Sequence, residues 1–438
     1  MKVVVLKLDG NLHQGFRVTL EIGTEGSCPD IDLLGNLPPD SELLALCKNH
    51  WLCKYRRVGN PLSLDKQSHN YRIKRKNITY GIPVQKQIQE CQESAQKLCN
   101  QFNSWLRTES FRDIDNCLRE QSNPNESLRL IIRTEDINVQ KLPWQEWNFI
   151  QRYSQAEVSF SFNSFNYIPP PLSLCHKPKI RILAILGYGS GLNLNLDRRF
   201  LKALPNVESV FLEEPQLEEV NQQLWDKPWD IVFFAGHSET RNNQGVVYLN
   251  KKDCINLEQL KFALNQAVKK GLKLAIFNSC DGLGLAQQLN KLPYLIVMRE
   301  LVPDKVAQEF LKHFLKAFAM GMSLGTAVRQ AKEKLYVLES SFPCASWLPT
   351  IFQHPTAPSL TWKNLLPQVD DFTKDQSELL AQKNQIRWLR LSLVTVILLA
   401  LVAMLGLSLG GSRLRRKTQN SSRARLSNKT EYRQCHSV

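Results

Sequence analysis

A histidine and a cysteine each end a short apolar run, and together they can act as a nucleophile and its base. His237 ends the run WDIVFFAGH, and Cys280 ends the run LKLAIFNSC. A thiolate attacks carbonyl carbon, and an imidazole within hydrogen-bonding distance can take the thiol proton. These residue types therefore predict covalent nucleophilic chemistry, provided that the fold brings the two side chains together.

The runs that end in His237 and Cys280 have the composition of buried strands. Both are continuously apolar rather than alternating, which is typical of central strands covered on both faces. The stretch Leu257–Lys270 between them predicts a helix, with an apolar stripe made of Leu260, Phe262, Ala263 and Ala267. A strand–helix–strand crossover places its strands parallel, and open α/β sheets build sites at the carboxyl ends of such strands. We therefore expect His237 and Cys280 to lie over one crevice.

Length, charge and cysteine use narrow the class of protein. The chain has 438 residues, enough for two or three domains, and a net charge of +15 that makes an anionic partner or surface worth considering. Its 11 cysteines are scattered, with no CxxC pair and no Cys/His spacing of a zinc site. This pattern argues for a reducing compartment and against a disulfide framework. We expect no cofactor and no metal.

Residues 1–125 predict an α+β region of unknown role. Strands are expected at Val3–Leu8 and Phe16–Glu21, and helices at Ser41–Lys54 and Val84–Arg107. The stretch Lys48–Lys86 is strongly basic and carries interleaved aromatic residues. It is interpreted as a solvated insertion, and binding of a nucleic acid or lipid there has only charge to support it.

Residues 126–356 alternate regularly between strand and helix patterns, which indicates an α/β domain. The glycine-rich segment GYGSGLNLN begins at Gly187 and lacks both the GK[ST] of a P-loop and the spacing GxGxxG. It is interpreted as a strand-to-helix turn. Residues 357–387 are interpreted as a linker.

The C-terminal section predicts a single transmembrane helix over 388–412, followed by a basic tail over 413–438. Leu391–Ser412 contains no charged residue and exceeds the roughly 20 residues that cross a bilayer. We place the membrane contact at Leu391–Gly410.

The segment from about Leu128 to Pro355 resembles the CHAT domain, a branch of the caspase-like cysteine peptidases. The resemblance is carried by RLIIRTEDINVQKLPWQEW, DIVFFAGHSE, LAIFNSCDGLGLA and VPDKVAQEFLKHFLKAFAMGMSLGTAVRQAKEKL, in that order. It implies a caspase-like, mostly parallel sheet flanked by helices. The fold class expected for the chain is therefore α/β, with a small α+β region before this domain and one transmembrane helix after it.

The resemblance also implies roles for individual residues. His237 and Cys280 form the catalytic dyad, and the backbone N–H groups of Ser238 and Cys280 serve as oxyanion donors. Caspases have glycine where this chain has Ser238. Asn278, two residues before the nucleophile, corresponds to a position that lines the specificity pocket. It is neither the Gln of caspases nor the Asp of metacaspases, so their substrate preference is not transferred.

Acidic residues near the carboxyl edge of the sheet favour a basic substrate residue. They are Glu239, Asp281, Glu300 and Asp304, and with Asn278 the last three form the expected substrate pocket. The helix that begins near Leu283 favours a thiolate at Cys280, whereas the carboxylate of Asp281 opposes it.

The leading hypothesis is a membrane-anchored cysteine endopeptidase that acts on a protein substrate and stays inactive until a partner or signal arrives. The alternative is a non-catalytic signalling module or scaffold with the same fold. No signal peptide is evident in MKVVVLKLDG, and a thiol nucleophile belongs in a reducing compartment, so we expect the peptidase domain in the cytoplasm. The tail opposes this orientation, since 411–430 carry seven Lys or Arg against four in the 18 residues before the span.

Overall fold

The computed structural model describes residues 1–58, 84–153, 155–162, 179–241 and 244–366. All of them belong to one unit that spans Met1–Pro367. Among the helices in these ranges, none is long and apolar enough to cross a membrane. The expected transmembrane helix over 388–412, the basic tail and most of the linker lie outside the described residues.

One eleven-stranded sheet organises this unit, in the order β3-β2-β1-β4-β5-β14-β13-β12-β8-β6-β7. Its strands are β1 Lys2–Asn11, β2 Gly15–Thr24, β3 Ile31–Leu37, β4 Leu128–Arg133, β5 Ala156–Ser161, β6 Ile180–Leu186, β7 Val207–Glu213, β8 Ile231–Ala235, β12 Leu274–Asn278, β13 Tyr294–Met298 and β14 Pro349–Gln353. A small second sheet contains β9 Ser238–Arg241, β10 Gln244–Tyr248 and β11 Cys254–Asn256. Pairing in the large sheet is parallel except at β1–β2, β2–β3 and β13–β14.

Helices flank the large sheet. They are α1 Ser41–Lys48, α2 Val84–Trp105, α3 Arg112–Gln121, α4 Ile137–Gln140, α5 Asn148–Arg152, α6 Leu194–Lys202, α7 Leu217–Asp226, α8 Lys261–Lys269, α9 Leu283–Gln288, α10 Asp304–Ala319, α11 Leu324–Leu335 and α12 Trp362–Leu365. This mixed α/β architecture, with a large mostly parallel sheet, is consistent with the expected caspase-like fold.

The two central strands lie where the sequence places them. Every residue of β8 and of β12 is buried, and the two strands pair in parallel. Ala235 lies opposite Asn278 at their carboxyl ends. The predicted parallel crossover is therefore confirmed.

The N-terminal strands continue the same sheet. β1 pairs in parallel with β4, with Lys2 opposite Leu128, so the sheet runs unbroken across the expected boundary at residue 126. Alternating residues of β1 such as Val4, Leu6 and Leu8 enter the core, as a strand with one covered face requires. The division at residue 126 stays a prediction.

Two helix predictions need correction. The helix expected over Ser41–Lys54 is α1 followed by a π-helical turn, Asn49–Tyr55. The helix expected over Leu257–Lys270 is a 3-10 turn, Leu257–Leu260, followed by α8. Within α8, Ala263 and Ala267 of the predicted apolar stripe are buried, whereas Phe262 is 76% exposed. Phe262 directly precedes Ala263, and adjacent residues of an α-helix point in directions about 100° apart, so it lies outside the stripe.

Candidate active site

His237 is placed by the chain segment that follows β8. Gly236 has a φ of +154°, and a Cβ there would lie 3.2 Å from backbone atoms of the strand-to-helix segment at Gly187 and Tyr188. The backbone N–H of His237 then donates to the carbonyl of Tyr188 at 2.9 Å. The imidazole is almost completely buried, at 1% exposure. The glycine thus allows the close approach that fixes the histidine backbone.

The imidazole of His237 contacts a backbone carbonyl that sets its tautomer. Nε2 lies 3.2 Å from the carbonyl oxygen of Ser190. Because a carbonyl only accepts hydrogen bonds, Nε2 carries the proton in the neutral ring. Nδ1 is then the nitrogen that can accept a proton. The ring of Tyr188 packs edge-on at 5.5 Å between centroids.

Cys280 lies in a tight turn between β12 and α9. Asp281 adopts a left-handed backbone with φ 49°, and the next amide, of Gly282, donates to the carbonyl of Met298 at 2.7 Å. A Cβ on Gly282 would lie 2.6 Å from the Cβ of Val297, so only glycine fits without a shift. The N–H of Asp281 also donates to the carbonyl of Glu300 at 3.3 Å, so the turn is held against the end of β13 and against the segment that follows it.

The thiol of Cys280 is fully buried and contacts the same segment. Its Sγ accepts from the backbone N–H of Val302 at 3.4 Å and lies 3.9 Å from the Val302 carbonyl. Its exposed fraction is 0%. An N–H donor favours the thiolate, while burial disfavours it.

The structure brings the segments of His237 and Cys280 together. Each residue lies two positions beyond the opposed pair Ala235 and Asn278 on adjacent parallel strands. The Oγ of Ser238 donates a short hydrogen bond to the carbonyl of Cys280. One element of the small sheet, β9, therefore joins the histidine segment to the cysteine turn.

Asn278 ends β12 and faces α6. Its side chain is fully buried, and its Nδ2 lies 3.4 Å from a carboxylate oxygen of the buried Asp197. The structure thus places Asn278 beside a helix, and its role in a substrate pocket stays a prediction.

Glu300 is the most buried of the predicted pocket carboxylates and is held by two cations. Its side chain has no solvent exposure. Arg56 lies 2.8 Å away through its NH2 group and 2.9 Å away through Nε, and Lys141 lies 2.5 Å away. Such a cluster compensates a buried charge that would otherwise cost several kcal/mol.

The other predicted carboxylates also have partners within the chain. Asp281 lies 3.8 Å from Arg56, and burial together with the charge of Glu300 raises the pKa of its carboxyl. Asp304 starts α10 and accepts from Gln308 at 2.8 Å. Glu239 accepts from the hydroxyl of Tyr248 at 2.5 Å.

Two N-terminal residues contact the segment beside the cysteine turn, and the sequence analysis did not predict these contacts. Arg56 bonds Glu300, and the Tyr55 hydroxyl donates to the carbonyl of Leu301 at 2.6 Å. Leu301 precedes Val302, the neighbour of the Cys280 thiol. The contacts join residues about 245 positions apart, and the only available signal was the opposite charge of Arg56 and Glu300.

The segments that carry His237 and Cys280 are buried and lie next to each other at the carboxyl edge of a mostly parallel α/β sheet. This arrangement is typical of a caspase-like fold. The family model of the CHAT domain matches residues 65–362, well over half of the chain. The chain belongs to the CHAT domain family. No curated protein matches its sequence.

Two solved structures show partial similarity to this chain. Saccharomyces cerevisiae separase, in its complex with securin, is 10% identical with a TM-score of 0.48 and is matched over 80% of this chain. This chain spans only 30% of the separase chain. The Arg-specific cysteine proteinase gingipain R is 8% identical with a TM-score of 0.38, over 61% of this chain and 68% of its own. Because both TM-scores lie below 0.5, family membership rests on the domain match.

Proposed function

We propose that this protein is a caspase-like cysteine endopeptidase in which Cys280 is the nucleophile and His237 the base. The observation that carries the proposal is the register of β8 and β12. The two strands are adjacent, and each residue lies two positions beyond the end of its strand. The hydrogen bond from Ser238 to the carbonyl of Cys280 joins the two segments. Nδ1 of His237 takes the thiol proton, and the thiolate attacks the peptide carbonyl.

In the proposed mechanism, backbone N–H groups stabilise the tetrahedral oxyanion. Ser238 and Cys280 supply these donors, as the family resemblance implies. His237 then returns the proton to the leaving amine, and water hydrolyses the resulting thioester.

The resting protein is proposed to be latent. Support comes from the full burial of Cys280 and from the contacts that Tyr55 and Arg56 make with the Glu300–Val302 segment beside it. A substrate carbonyl reaches the thiol only after this segment moves. A signal or protein partner that displaces the Tyr55–Arg56 turn would therefore activate the enzyme.

We further propose that the substrate carries a basic residue at the cleavage site. The carboxylates of Glu300 and Asp281 lie at 2.8 Å and 3.8 Å from the guanidinium of Arg56. The space between these two carboxylates therefore accommodates a planar cation. A substrate Arg or Lys that replaces Arg56 would meet the same pair of carboxylates.

Membrane anchoring completes the proposal. The uncharged run Leu391–Ser412 has the length of one span. The peptidase domain would then act on a protein close to the bilayer surface.

The test is labelling of the full-length protein with thiol-reactive peptidyl probes that end in Arg, Lys, Asp or Leu. Because the resting protein is proposed to be latent, each variant is made both in the wild-type chain and in an Arg56→Gln chain, in which the contact between Arg56 and Glu300 is removed. We expect Cys280→Ala to abolish labelling and cleavage, and His237→Ala to reduce both by about 10²-fold or more, the usual contribution of a general base. Cys254→Ala is the matched control, since Cys254 is an exposed thiol on β11. Circular dichroism checks that each variant folds.

Full peptidase activity in Cys280→Ala would contradict the assignment. Equal labelling by all four probes would contradict the basic preference alone. The second candidate function is a non-catalytic signalling module or scaffold, which the complete burial of the thiol favours. That function predicts no labelling of Cys280 even after the Tyr55–Arg56 turn has been released.

A further inference from the structure

Three side chains with metal-ligating atoms meet in the core, far from Cys280 in sequence and outside the proposed reaction. They are His50 from the π-helical turn, Cys91 from α2 and Cys344 from the segment before a 3-10 turn. Their ligand atoms all lie within 4.8 Å of one another, and all three residues are buried. None of the three residues belongs to the proposed dyad.

The distances within the cluster suit a metal ion. Nε2 of His50 lies 3.6 Å from Sγ of Cys344. In a tetrahedral zinc site, with Zn–S of about 2.3 Å and Zn–N of about 2.0–2.1 Å, these two ligand atoms are separated by about 3.6 Å. An ion therefore fits between the two atoms without displacing them.

The histidine is already oriented as a ligand. Its other nitrogen, Nδ1, lies 3.3 Å from the hydroxyl of Ser94, which stands one turn after Cys91 on α2. Metal-binding histidines usually hold their second nitrogen in such a hydrogen bond, which leaves the first nitrogen deprotonated and aimed at the ion. Ser94 thus turns Nε2 toward Cys344.

The donor set selects the class of metal. Two sulfur atoms and one imidazole nitrogen, with no carboxylate in the cluster, suit zinc rather than magnesium or calcium. Two thiolates also cancel the charge of a divalent ion, so the complex is neutral. Neutrality is needed here because the rings of Trp51 and Trp347 lie 4.8–5.6 Å from the imidazole and give an apolar surround.

We propose that His50, Cys91 and Cys344 bind a zinc ion that fastens the N-terminal helices to the α/β core. Cys344 belongs to the segment between α11 and β14, whereas His50 and Cys91 belong to N-terminal elements. The ion would also fix the turn that carries Tyr55 and Arg56. Three protein ligands leave the fourth position of a tetrahedral ion to water.

The experiment measures metal in the full-length protein after dialysis against metal-free buffer. We expect stoichiometric zinc by mass spectrometry, and Co²⁺ substitution should give a sulfur-to-cobalt charge-transfer band with the strong visible bands of tetrahedral cobalt. Cys91→Ser and Cys344→Ser should each weaken zinc binding at least 10-fold. Cys47→Ser is the matched control, because Cys47 is buried on α1 outside the cluster.

Other results overturn the proposal. Wild-type protein that takes up neither zinc nor cobalt into a sulfur site rules it out, and this measurement needs no variant to fold. Unchanged zinc in both Cys91→Ser and Cys344→Ser rules it out as well. So does a Cys91–Cys344 disulfide in freshly purified, alkylated protein, since an oxidised pair supplies no thiolate.

Discussion

Arg56 contacts a segment of the chain that lies beside the distant thiol of Cys280. Its guanidinium meets a carboxylate that has no contact with solvent, and that carboxylate lies two residues before the neighbour of Cys280. Removing the guanidinium leaves Glu300 with Lys141 as its remaining counter-ion among the described residues. The segment Glu300–Val302 should then be held less tightly.

We predict that Arg56→Gln lowers the free energy of unfolding by about 1–3 kcal/mol, below the roughly 3–5 kcal/mol of a fully uncompensated buried charge. Labelling of Cys280 by a peptidyl probe should rise severalfold, because the cover over the thiol opens more often. Urea unfolding and labelling rates measure the two effects. Lys54→Gln on the same turn is the control, since its pair with Glu90 is partly exposed and worth less than about 1 kcal/mol. Unchanged or slower labelling in Arg56→Gln would contradict the proposal that the Tyr55–Arg56 turn keeps Cys280 covered.

The functional residues that the sequence predicts are marked by local patterns, whereas those that it misses are defined by contacts between distant segments. His237 and Cys280 were predictable because each ends an apolar run of strand length, which is a local pattern. Arg56, His50 and Cys344 act through contacts between distant segments, up to 294 positions apart for His50 and Cys344. Local spacing carries no information on such contacts, which explains why no zinc-type spacing was found.

At the scale of elements, two backbone features lie beside the thiol of Cys280: the start of α9 and the segment that follows β13. The sequence predicts that a helix start near Leu283 favours the thiolate, but α9 has only six residues. So short a helix has a small dipole. The backbone N–H of Val302 donates directly to the sulfur of Cys280 and is therefore the better-defined stabiliser of a thiolate. Val302 belongs to the segment that follows β13.

Helix α11 carries a lysine whose environment opposes its charge. Burial, reinforced by the charge of Arg299, lowers the pKa of Lys332 to about 7. Between about pH 7 and the usual lysine pKa near 10.4, the unfolded chain is protonated at this residue and the folded chain largely is not. The free energy of unfolding therefore rises with pH in this window through Lys332.

We predict that Lys332→Met is more stable than wild type at pH 7, and that this advantage shrinks steadily toward pH 10. Urea unfolding at several pH values measures the difference in the free energy of unfolding between Lys332→Met and wild type. Both proteins contain the same buried thiols, so the titration of these thiols does not contribute to the difference. Lys334→Met, at an exposed position of the same helix, is the control and should show no such trend. A constant difference between Lys332→Met and wild type across the window would show that Lys332 keeps an ordinary pKa.

Element boundaries were predicted less well than element types. The strands β8 and β12 follow from uniform apolar composition, whereas the change from α1 to a π-helical turn has no marker in the sequence. The aromatic packing of His50 and Trp51 against Trp347, at 5.6 and 6.1 Å, accompanies that turn. Tertiary packing of this kind overrides local helix preference.

At the scale of the whole molecule, the fold and the charge distribution bear on orientation in a membrane. The proposed span follows the α/β unit Met1–Pro367 in the sequence, so this unit is synthesised before the span. We predict that this unit folds before the span inserts. No disulfide bond joins the cysteines of the described residues.

We predict one span near Leu391–Gly410, the α/β unit in the cytoplasm and the short tail across the membrane. The basic residues of the tail oppose this arrangement, because positively charged flanks prefer the cytoplasmic side. Folding of a domain of this size before insertion outweighs that preference, since a folded domain does not cross while a short tail can. Protease added to sealed, right-side-out vesicles should spare the α/β unit and remove a tag placed after Val438. Digestion of the α/β unit with protection of the tag would reverse the orientation and place Cys280 outside the cytoplasm.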